Sequence, residues 1–90
     1  MYKILPYTLK RAKLLGVRIK PSKRANKKLD VFDLDGNYIV SVGALGYMDY
    51  AYYLKYYGKK IADLKKQAYN ARHYYNNDLA GYYAKKLLWS

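Results

Sequence analysis

The chain reads as a small single α+β domain: an N-terminal helix, one β-hairpin, then two or three helices packed on it. Three observations predict this. The run LDVFDLDGNYIVSVGA sets two β-rich arms about Asp35–Gly36, a dipeptide that supplies the positive φ of a tight reversal. Helical periodicity closed by glycine marks segments on both sides of that run. A chain of 90 residues holds one core and leaves too little for a second.

Taken in order, Pro6 suits the first turn of a helix, and Leu5, Leu9, Ala12 and Leu15 recur at helical spacing up to Gly16, giving a helix over 6–15. VRIKPSKRANKK then reads as an extended, basic connector in which Pro21 stops regular pairing. The hairpin spans 28–34 and 38–43. Leu29, Val31 and Phe32 on one arm and Ile39, Val40 and Val42 on the other supply its core face. Two strands alone are marginal in water, so helices must cover that face.

Asp49 is a good N-cap for a helix over 50–57, closed by Gly58. A longer helix follows over 59–76, with Ile61, Leu64, Ala68, Ala71 and Tyr75 as its apolar stripe. Asn76, Asn77 and Asp78 break it, and LAGYYAKKLLW forms a final short helix anchored by Leu87, Leu88 and Trp89. Within the single domain, residues 1–28 are a basic N-terminal helix and arm, and residues 29–90 the hairpin with its helices.

Composition narrows the function. The chain has no cysteine, which excludes a disulfide framework and a cysteine zinc site. No apolar run is long enough to span a membrane, and the N-terminus lacks the long apolar stretch of a secretory signal, so an intracellular, soluble protein is expected. His73 is the only histidine and has no carboxylate near it in sequence. Asp33, Asp35 and Asn37 have incomplete calcium-loop spacing and no glutamate to close the coordination, so they read as a turn. The expectation is a protein that is not an enzyme and needs no cofactor, no metal and no small-molecule substrate.

Charge and rings point to binding. Net charge is +12, and residues 1–28 hold ten of the eighteen basic residues and no acid. Such a field attracts polyanions and is screened by salt. The candidate polyanion-binding residues are Lys10, Arg11, Lys13, Arg18, Lys20, Lys23, Arg24, Lys27 and Lys28. The chain also carries fourteen tyrosines, five of them within MDYAYYLKYYG. At 100° per residue, Tyr50, Tyr53, Leu54 and Tyr57 share one face of that helix while Tyr52 and Tyr56 share another. About half of the rings are expected to fill the core. The rest suit an interface, because a rigid ring is immobilised at low entropic cost and its hydroxyl still finds a partner. Tyr50, Tyr52, Tyr53, Tyr56, Tyr57, Tyr82, Tyr83 and Trp89 are the candidate protein-interface residues.

KKLDVFDLDGNYIVSVGALGYMDYAYYLKYYGKKIADLKKQAYNARH and the terminal GYYAKKLLW, in that order, resemble a family of small basic proteins of unassigned role encoded by large double-stranded DNA viruses of algae and amoebae. The resemblance covers most of the chain. It implies a virion setting, with host cytoplasm during assembly, and two stations. One is a minor capsid or cement component that bridges capsid proteins or copies of itself. The alternative is a nucleic-acid-binding protein on the viral genome.

Overall fold

The computed structural model describes residues 1–75 and 78–90. Four helices and a three-stranded antiparallel sheet follow the order α1 (Pro6–Leu15), β1 (Arg18–Pro21), β2 (Lys27–Phe32), β3 (Tyr38–Ala44), α2 (Tyr50–Tyr57), α3 (Lys59–His73) and α4 (Leu79–Leu88). The chain is therefore the α+β domain that its periodicities predict.

Local chemistry sets the boundaries. Pro6 opens α1, and Gly16, at φ 79°, closes it by donating its N–H to Lys13 and Ala12 carbonyls. The β2–β3 turn is longer than a two-residue reversal. Asp33 Oδ1 accepts from the N–H groups of Asp35 (3.0 Å) and Asn37 (2.8 Å), so the carboxylate folds the loop around itself. Asp49 caps α2 by accepting from the Tyr52 N–H, and Asp78 caps α4 by accepting from the Gly81 N–H. The long helix ends at His73; residues 76 and 77 of the expected helix end and break lie outside the described residues.

The basic connector is not a loop. Arg18–Pro21 forms the edge strand of the sheet, with Ile19 opposite Val31 and Pro21 opposite Leu29. Pro21 is tolerated because it ends an edge strand, where its missing N–H breaks no central ladder. The N-terminal 28 residues are thus woven into the fold, with Leu5, Thr8, Ala12 and Val17 buried.

The core is one cluster of Ala12, Val17, Leu29, Val31, Val42, Leu87 and Leu88, between the sheet and the pair α1 and α4. Ile39, Val40 and Trp89 pack on its margin as expected. Phe32 does not join it. The register shifts between Val31 and Phe32, and Phe32 pairs with Arg18 and Tyr38 in a row that alternates with the core-facing positions.

The predicted core stripe of α3 faces the other way. Ala62 is fully buried and Lys66, Tyr69, Asn70 and His73 are half-buried, whereas Ile61, Leu64, Ala68, Ala71 and Tyr75 are all exposed. Periodicity grouped these residues correctly, but α3 meets the rest of the protein through its more polar side.

Candidate interaction surfaces

The helix pair α2–α3 is tied to the rest of the molecule by hydroxyls, rings and one buried charge pair. Asp49 is inaccessible and gathers three donors: Tyr2 Oη, Lys28 Nζ at 3.0 Å and the Tyr52 N–H at 3.3 Å. One carboxylate therefore joins the N-terminus, β2 and α2. Burial, followed by the hydrogen bond to Asp49, drives the Tyr2 phenol far above its ordinary pKa. Tyr52 Oη donates to the Lys3 carbonyl, and the Tyr2 and Tyr52 rings lie 5.7 Å apart.

Within the pair, Tyr50 Oη donates to Asp63 at 2.7 Å, and Lys59 reaches the other oxygen of the same carboxylate. These bonds, Lys59 first, hold the Asp63 carboxyl below its usual range, and the bond to Asp63 raises the Tyr50 phenol. Tyr50 is therefore a core residue at 6% exposure and is withdrawn from the interface set. Tyr52, Tyr53, Tyr83 and Trp89 are half-buried. Only Tyr56, Tyr57 and Tyr82 of the eight candidates are exposed, the first two by 62% and 60%.

The outward surface includes rings outside the eight interface candidates. Tyr47, Tyr74 and Tyr75 are more exposed than any of the eight. Tyr47 follows Gly46 in the loop before α2, and Tyr74 and Tyr75 sit just past the last turn of α3. The signal for Tyr47 and Tyr74 is position beside a helix end, whereas Tyr75 is placed by spacing on the α3 stripe. Tyr75 extends the exposed α3 stripe, and Tyr74 meets Tyr75 edge to face at 5.3 Å.

The basic candidates divide in the same way. Lys10, Lys13, Arg18, Lys20, Lys23, Arg24 and Lys27 are exposed, and Arg11 is half-buried with Nε donating to the Lys86 carbonyl. Lys28 is corrected. Its side chain is 4% exposed and neutralised by Asp49, so it offers nothing to a polyanion.

Folding brings charge and rings together on the outer side of the sheet. The Arg18–Phe32–Tyr38 and Lys20–Asp30–Ser41 rows share that face by register. Lys20 Nζ stands 5.6 Å from the centre of the Phe32 ring, and the Arg24 guanidinium 5.1 Å from that of Tyr38. Phe32 and Tyr38 meet edge to face at 5.9 Å. Beneath them Asp30 accepts from Ser22 and Ser41 hydroxyls, each at 2.6 Å. Burial alone would raise the Asp30 carboxyl; the two hydroxyls and Arg24 outweigh it and hold it below the usual carboxylate range. The carboxylate is thus engaged, and the face presents its cations outward.

Among the described residues no group of three or more His, Asp or Glu side chains is placed to hold a metal ion, and no helix is long and apolar enough to cross a membrane. Comparison of the chain with protein-family models, with curated proteins and with solved structures finds no match.

Proposed function

We propose that this protein is a non-enzymatic assembly component, a minor capsid or cement protein of a large DNA virus that binds neighbouring capsid subunits or further copies of itself. The observation that carries the assembly reading is the outward α3 stripe. Ile61, Leu64, Ala68, Ala71 and Tyr75 repeat at core spacing, yet all are exposed, with Leu64 at 53%. Contiguous apolar surface of this kind is retained where another molecule covers it. Tyr56, Tyr57, Tyr74 and Tyr82 add large rings that bury area at low entropic cost. The viral setting rests on the sequence resemblance. Opening particles and separating shells from released genome tests it: the protein is expected in the shell fraction, and recovery with the genome contradicts the capsid assignment.

A second reading has its own observation, the cation–ring face of the sheet. Arg18, Lys20 and Arg24 beside Phe32 and Tyr38 combine phosphate neutralisation with a surface for base contact. It predicts that log affinity for single strands falls linearly with log salt. Absence of binding at low salt removes it.

A further inference from the structure

A cleft of about 710 Å³ opens between the C-terminal end of β3, the flank of α3 and α4. It takes Ala68 from the α3 stripe and Ser41 from the outer side of the sheet and shares no other residue with either surface. Small side chains keep it open: Ala80 and Ala84 on α4 line it where larger ones would narrow it. Its volume matches that of pockets that enclose small organic ligands, roughly 300–1,000 Å³.

Two chemistries line this cleft. The first is a ladder of flat rings. Trp89 and Tyr69 stack at 4.6 Å with planes 7° apart, and His73 stacks on Tyr69 at 4.4 Å and 30°. The second is positive charge. Lys27, Lys65 and Arg72 line the walls against Asp78, the only carboxylate lining it among the described residues, while Lys28 is neutralised by Asp49. Asp78 is already engaged as the α4 cap, where Oδ1 accepts from the Gly81 N–H at 2.7 Å. A ligand that satisfies both walls carries a planar ring and a phosphate: the ring packs against apolar and aromatic surface, and the phosphate takes charge-assisted bonds from Arg72 and the lysines.

We infer that the β3–α3–α4 cleft is a nucleotide-binding site, with Trp89 contacting the base and Lys65 and Arg72 holding the phosphate. The nucleotide is free or is one unit of a single strand; both present the same base and phosphate.

The chain has one tryptophan, and it lies in this cleft, so ligand entry is read directly from its fluorescence. The full chain is titrated at fixed ionic strength with ATP, adenosine, inorganic tripolyphosphate and a short single-stranded oligonucleotide. Saturable quenching by ATP is expected, with adenosine and tripolyphosphate each weaker by about tenfold or more. The exposed double substitution Lys65→Ala/Arg72→Ala should weaken ATP by about tenfold or more with an unchanged circular dichroism spectrum. Lys55→Ala/Lys60→Ala, two exposed positions outside the cleft, should leave ATP binding as it is. Ala68→Phe, which places a ring in the opening, should block entry and gives an independent check. Tighter binding of the oligonucleotide than of ATP, lost in Lys65→Ala/Arg72→Ala, identifies a strand as the source; the reverse order identifies the free nucleotide. Three results overturn the site: no saturable change with ATP or oligonucleotide, tripolyphosphate binding as tightly as ATP, or equal losses from the Lys55→Ala/Lys60→Ala and Lys65→Ala/Arg72→Ala double substitutions. Self-association through the α3 stripe is a separate reading and stands or falls apart from these outcomes.

Discussion

The body formed by α1, the sheet and α4 and the pair formed by α2 and α3 are held by different physics. In the body, seven buried residues, all apolar, meet in one cluster, and hydrophobic burial dominates. The pair has little of this. Among its described residues only Tyr50, Ala51 and Ala62 are buried, and it reaches the body through Tyr2–Asp49, Lys28–Asp49, Tyr52 to the Lys3 carbonyl, and the Trp89 stack with Tyr69. Directional polar bonds and rings thus stand in for a second core. An element so attached keeps its apolar stripe free for another molecule, and it opens at a lower free energy than the body.

The largest effect should come from breaking the buried charge pair. Asp49→Ala leaves Lys28 buried without its counter-ion, a change that costs about 3–5 kcal/mol. Hydrogen exchange should show the loss concentrated in α2 and α3, with the sheet amides still protected. A loss spread evenly over both regions would erase the distinction between them. Leu29→Ala, in the centre of the body, should cost about 2–5 kcal/mol and lower protection everywhere, because the pair has nothing to dock on once the body opens.

Alkaline pH sharpens the comparison further. The folded Tyr2 phenol titrates well above its unfolded value near 10. A group whose pKa is raised by folding contributes fully below the unfolded value and loses that contribution as pH rises. Stability should hold to about pH 10 and decline beyond it. In Tyr2→Phe the neutral-pH melting temperature should be lower and the alkaline decline shallower; an unchanged decline would place the titrating group elsewhere. The smallest effect is expected at Lys59→Ala, whose ion pair with Asp63 is solvent-exposed and should leave the melting temperature unchanged within error.

Where a residue acts on its own neighbours, the sequence was legible. Gly16, Asp49, Gly58 and Asp78 mark helix ends by cap chemistry, and helices start or stop at them as expected. Orientation was not legible. A period of 3.6 says that Ile61, Leu64 and Ala68 share a face, not whether that face turns inward; here the pair packs through Ala62 and the Tyr50–Asp63 bond instead. Strand β1 was hidden because Pro21 argues against pairing, and only its partner β2 shows that the position is an edge. Lys28 looked like one more cation in a basic run until Asp49, 21 residues away, enclosed it. The cation–ring face and the cleft were invisible for the same reason, since each gathers residues from separate elements.

The outward stripe of α3 is the claim on which the assembly reading depends, and sedimentation velocity across a concentration series addresses it most directly. The unmodified chain should self-associate as concentration rises, and Ile61→Asp/Leu64→Asp, two substitutions at already exposed positions, should shift it to a monomer with an unchanged circular dichroism spectrum. A chain that stays monomeric throughout the series, or one that associates equally well with both aspartates in place, would contradict the account.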